Sequence, residues 1–232
     1  MATQNLSEKI NALAVKAVVV LIVCAIPALF LPLDAPGATQ EQAAVWLMNT
    51  MSAYMLGWIV QIIAMFSLTI IFAGAAWQIF EASPIRAVTI WLLTSFSVVV
   101  FLITKFIAIW TVPLMAKALA AGSAESEVAQ VFLTALAPSV SFGLAPSLDY
   151  LGFWLYALIG LLLFRPLFAL SASAKVAAVT LLLFGVIFHL VFVAIYLSLV
   201  SQGDIPAIIE SSGVLLLVAS IALFFQFRAQ RG

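Results

Sequence analysis

Six long runs of apolar residues, each almost free of charge, constrain this chain more than any other feature of its sequence. They fall at about Ala17–Leu33, Ala53–Phe80, Ala87–Val112, Tyr150–Leu170, Val176–Val200 and Ile205–Phe227. A helix needs about 20 apolar residues to cross roughly 30 Å of hydrocarbon at 1.5 Å per residue. Lipid offers backbone amides no hydrogen bonds, so runs of this length must be helices, and the alternating pattern of a membrane β-strand is absent. Composition agrees: 66% of the 232 residues are hydrophobic and 8% charged, against roughly 45–50% and 25% in soluble domains. The expected fold is all-α, a polytopic transmembrane helical bundle of six helices forming a single integral membrane domain over residues 1–232.

The breaks between runs carry their own chemistry. Pro32 and Pro36 stop the first, Ser83 before Pro84 reads as an N-cap with proline at the first helical position, Pro113 closes the third, and Asp204 reads as an N-cap for the sixth. Pro27 and Pro166 fall inside spans, where a proline can kink a helix. Basic residues set the orientation, because Lys and Arg are retained on the cytoplasmic side. Lys9, Lys16, Arg86, Arg165, Lys175, Arg228 and Arg231 share one side. The other has only Lys117, with Lys105 close by, and collects Asp34, Glu41, Glu125, Glu127, Asp149, Asp204 and Glu210. Both termini are therefore expected in the cytoplasm, with a bacterial inner membrane as the default location. A cleaved signal peptide ending near Ala35-Pro36-Gly37 is the competing reading, disfavoured by the length of the first run and by Glu8.

Two long connections, 34–52 and 113–149, lie on the outer side. Thr39 and Gln42 have capping-box spacing ahead of Ala43, Ala44, Trp46, Leu47 and Met48, which predicts a helix before the second span. Ser123 as N-cap, Glu125 and Glu127 in the first turn, then Val128, Val131, Phe132, Ala135 and Leu136, predict an outer amphipathic helix. Its acidic face lacks the Lys/Arg that bind anionic lipid, so it reads as a lid on the bundle. Trp46, Tyr54, Trp58, Trp110, Tyr150, Trp154 and Tyr156 towards the outer ends, with Trp77 and Trp91 towards the inner ends, read as an aromatic belt. Ala73-Gly74-Ala75-Ala76 would let another helix approach closely.

Ionisable residues inside a span are expensive and mark functional candidates. Lys105 lies eight residues before Pro113 and Glu210 five after Ile205, depths of roughly 12 and 8 Å. Glu210 or Asp149 is the expected partner of Lys105. With Gln61 and His189, these residues form a candidate polar pocket, Gln61, Lys105, Asp149, His189 and Glu210, suited to a small polar or anionic molecule. The alternative is structural: Lys105 in a pair, His189 on a neighbouring carbonyl, Gln61 joining two helices. Arg165 is expected to snorkel to headgroups, or else to form an inner ion pair.

Catalytic signatures are missing. One histidine and one cysteine, Cys24, exclude the two-His zinc motif, a bis-His haem and any Cys cluster. No phosphate loop, nucleophile elbow or midplane acid pair is present. No metal, cofactor or catalytic residue is assigned. Nine basic residues balance nine acidic ones, which leaves no basic surface for nucleic acid. The stretch Ser147-Leu148-Asp149-Tyr150-Leu151-Gly152-Phe153-Trp154-Leu155-Tyr156, with Lys105-Phe106-Ile107-Ala108-Ile109-Trp110 upstream, resembles bacterial six-helix integral membrane proteins of unknown function. That resemblance implies the topology and no activity. Three helices on each side of the second connection have the parity of an inverted-repeat transporter, without sequence identity between the halves.

The expected function is therefore non-enzymatic, the binding or passage of a small molecule through an outward-facing polar pocket. The rival is an accessory subunit that packs its small-residue and aromatic faces against a membrane protein partner. Membrane lipid is the certain neighbour on either reading, and a homo-oligomer is compatible with both.

Overall fold

The computed structural model describes residues 2–35, 39–136 and 143–230. Pro36, Gly37 and Arg231, named above, lie outside them. The described chain is all-helical, without a strand: α1 (Ala2–Ala28), α2 (Gln40–Ile79), α3 (Pro84–Phe106), α4 (Val112–Ala121), α5 (Ser126–Leu136), α6 (Leu144–Phe168), α7 (Ala172–Tyr196) and α8 (Ile205–Ala229). A π-helical turn, Ile107–Thr111, joins α3 and α4 into one rod. Six segments are long and apolar enough to span a membrane: α1, α2, the α3–α4 rod, α6, α7 and α8. The chain is thus a multi-pass membrane protein, and α5, with 11 residues, is too short to cross.

Local chemistry explains most of these boundaries. The Thr39 hydroxyl accepts the Gln42 amide at 3.2 Å, and no proline interrupts the chain from there to Ile79. The capped segment and the second apolar run therefore fuse into one helix of 40 residues, ~60 Å long. The interior prolines do not bend mid-span helices: α1 ends one residue past Pro27 and α6 two past Pro166. Ser83 precedes α3 and its carbonyl takes the Ala87 amide at 3.0 Å. Asp204 occupies the N-cap position of α8 without capping it. Its carboxylate instead accepts the Ser201 hydroxyl at 2.6 Å.

Two helices close with the same pair of reversed hydrogen bonds. After α4, the Gly122 amide bonds Leu119 O and the Ser123 amide bonds Ala118 O, with Gly122 left-handed at φ 58°. After α7, the Ser198 amide bonds Ile195 O and the Leu199 amide bonds Ala194 O at 2.8 Å, with Ser198 left-handed at φ 57°. Glycine adopts this conformation freely; serine does so at a cost of about 1 kcal/mol.

The chain divides into two compact units. The first comprises Met1–Ile22, Met65–Val98 and Gly152–Gly232. Here α6 and α7 meet backbone to backbone: a β-carbon on Gly160 would stand 2.6 Å from Leu181 O, and one on Gly185 2.9 Å from Ala157 O. Gly74 is covered the same way by Ala14 and Phe227, the close approach that small residues permit between membrane helices. Phe72 and Tyr156 pack at 4.9 Å between ring centroids, and Trp77, Phe80 and Trp91 form a stack.

The second unit comprises Val23–Ala64 and Val99–Leu151. Its core joins Ala44, Leu47, Tyr54 and Trp58 of α2 to Ala108 of the π turn, Val112 and Ala116 of α4 and Leu133 of α5. Helix α5 buries Ala129 and Leu133, whereas Val128, Val131 and Phe132 of its apolar surface are exposed. The aromatic-belt expectation is corrected at three positions. Tyr54, Trp58 and Tyr156 are buried core residues, while Trp110 is exposed as a belt residue should be.

Candidate functional site

Lys105 stands in the last turn of α3, two residues before the π turn. In an α-helix, a proline ring collides with the carbonyl four residues back, and Pro113 was expected to end the helix for that reason. The chain widens instead: the Val112 amide bonds Ile107 O, five residues back, and the rod continues through Pro113 to Ala121. Such π turns are uncommon and recur at functional sites.

The Lys105 ammonium donates to Asp149 Oδ1 of α6 at 2.7 Å, with the two side chains 8% and 19% exposed. Its nitrogen also lies over the Trp58 ring at 5.2 Å and the Phe101 ring at 5.1 Å. Aromatic faces attract a cation most strongly when water is excluded, by ~2 kcal/mol or more. One residue back, the Thr104 hydroxyl reaches Ala145 O of α6 at 3.5 Å, so the pair is braced along the chain on both helices. The partner is Asp149, one of the two expected from sequence.

The wall on α2 is built from one helical face. Tyr54, Trp58 and Gln61 follow at i, i+4 and i+7, and the first two rings meet edge-on at 6.2 Å. The Tyr54 hydroxyl and the Trp58 indole N–H are both buried, and the two side chains interact with each other. Asp34 is near enough for its charge to act at the Tyr54 hydroxyl.

The remaining expected residues are placed differently. Gln61 belongs to the same unit as the pair, half-buried and without a hydrogen bond to a described residue. His189 belongs to the other unit, where its Nδ1 meets Gly185 O at 2.7 Å and its Nε2 accepts the Trp154 indole N–H at 3.1 Å. Those contacts define the neutral tautomer protonated on Nδ1 and occupy both nitrogens. Glu210 lies on α8, also in the other unit, and its side chain is outside the described structure. Arg165 is exposed near the end of α6.

One polar cluster in the first unit went unseen in the sequence. The Ser171 hydroxyl donates to Gln226, the Gln226 amide to Gln78 at 3.3 Å, the Gln78 amide to Asn11 at 2.6 Å, and the Asn11 amide to Gln230 O at 3.3 Å. Asn11 and Gln226 are buried. The chain of bonds ties α1, α2 and α8 to the cap of α7, where Ser171 also accepts the Ala174 amide at 3.2 Å. Its donors and acceptors are matched internally, so it acts as helix glue and offers no group to a ligand. Among the described residues no three His, Cys, Asp or Glu side chains come together to hold a metal. No protein-family model, characterised protein or solved structure matches the chain.

Proposed function

We propose that this protein binds a small polar or anionic molecule at the Lys105–Asp149 pair and passes it through a bacterial inner membrane. The observation that carries the reading is a lysine only 8% exposed, paired with Asp149 and caged by two aromatic rings, on a rod long and apolar enough to span a membrane. A membrane chain keeps such a charge where it does work, because desolvation makes it costly otherwise. The caged ammonium favours a ligand that carries negative charge, such as a carboxylate or inorganic anion.

The orientation that accompanies this reading puts both termini in the cytoplasm and Asp149 towards the periplasm, on the distribution of Lys and Arg. A periplasm-active reporter fused to the C-terminus should be silent, and one inserted after Gly122 active. The site is tested by a thermal-shift screen of the purified protein in detergent against amino acids, carboxylates and inorganic anions. Lys105→Met/Asp149→Val is the control, because it removes both buried charges together. A compound that stabilises only the wild type supports the site. No shift with any compound returns the reading to an accessory subunit.

A further inference from the structure

We propose that the Lys105–Asp149 site takes up its anion together with one proton, so that binding is electroneutral. The inference rests on the pair being the binding site, and extends it to the coupling ion. The empty site holds one ammonium and one carboxylate, in contact at 2.7 Å and largely shielded from water. Its charge sums to zero. A monoanion that displaces Asp149 from Lys105 brings a second negative charge into the same shielded space. Two anions sharing one cation at low dielectric repel strongly, and the least costly relief is to protonate one of them.

Asp149 is the group placed to take that proton. Among the described residues Lys105 is its ion-pair partner. The same unit also holds Tyr54 on α2 and Asp34 beyond α1, whose charge acts at the Tyr54 hydroxyl. Lys117 on α4 and Glu127 on α5 are exposed. When the anion takes the place of Asp149 at the Lys105 ammonium, the freed carboxylate accepts a proton from solvent. The occupied site then carries one ammonium, one neutral carboxyl and one anion, and again sums to zero.

Chloride, nitrate and methanesulfonate are the probes, because anions of strong acids do not titrate themselves. Binding to the full-length protein in detergent is measured by thermal shift from pH 5 to pH 8, and proton exchange by a pH dye in weak buffer. The expected results are uptake of one proton per anion bound and a tenfold loss of apparent affinity per pH unit across the range where Asp149 is ionised before binding and protonated after it. Asp149→Asn, which imitates the protonated carboxyl, should bind the same anion with no proton uptake and no pH dependence. Anion binding without proton uptake by the wild type overturns the inference and leaves the site standing. Failure of all three anions and of the wider ligand screen removes the site itself. The proton count on the wild type decides the matter even where Asp149→Asn does not fold.

Discussion

Separating the two charges of the buried pair should produce opposite pH dependences in the two single variants. In Lys105→Met the Asp149 carboxylate loses its cation inside the unit, at 19% exposure. The penalty is capped by the cost of neutralising it: from an ordinary value of ~3.9 to pH 7, at ~1.36 kcal/mol per unit, this is about 4 kcal/mol. In that variant the folded state holds a proton that the unfolded state releases, so stability falls as pH rises and recovers towards pH 4. In Asp149→Val the orphan is the ammonium, and the cap from ~10.4 down to pH 7 is about 4.6 kcal/mol. There the unfolded state holds the extra proton, so stability recovers as pH rises. The double variant leaves no orphan and should lie within ~1–2 kcal/mol of wild type at every pH. Unfolding in mixed detergent–SDS micelles at pH 5, 7 and 9, read as differences from wild type, measures all three. Parallel slopes for the two single variants, or additive losses in the double, would refute the electrostatic account of the pair.

Other positions give contrasting outcomes. Gly160→Ala, whose β-carbon would meet Leu181 O, should lose ~1–3 kcal/mol by the same unfolding assay, whereas Gly213→Ala, with nothing within 4 Å, should be neutral or gain up to ~1 kcal/mol. Ser198→Gly relieves a left-handed serine and should raise stability by about 1 kcal/mol; a loss would argue against that backbone conformation. Gln78→Leu breaks the amide chain in the middle and should cost ~1–3 kcal/mol, without changing any ligand-induced thermal shift. His189→Leu should likewise weaken the fold and spare ligand binding, since its nitrogens are committed to Gly185 and Trp154; loss of binding would restore His189 to the site.

What could be read from the sequence follows from how local each cause is. Span-forming runs depend only on lipid, and six spanning segments appear where six runs were expected. Their ends were harder. Pro113 ends a helix by its own sterics, yet a single wide turn before it accommodates the ring, and no residue pattern announces that turn. The second span was read as two pieces because Thr39 signals a helix start well before the apolar run, and nothing between them ends the helix. Lys105 and Asp149 were legible because charge in a span must be partnered, which narrowed the lysine to two carboxylates.

The cage around that pair was misread for a physical reason that also bears on the site. A tryptophan or tyrosine at a span end is ordinarily held at the headgroups by its polar edge, and Tyr54 and Trp58 have the right depth for that. They are instead turned inward, and Lys105 lies over the Trp58 ring. The i, i+4 spacing of Tyr54 and Trp58 places both rings on one helical face. Spacing alone cannot distinguish a face turned to headgroups from one turned to a buried lysine. The distinction depends on whether a cation from another helix arrives at that depth, and Lys105 does. A belt residue turned inward gives up its place at the headgroups, and at Trp58 the ring face gains a cation held away from water. The caged lysine, rather than the rings, is therefore the feature that favours an occupant carrying negative charge.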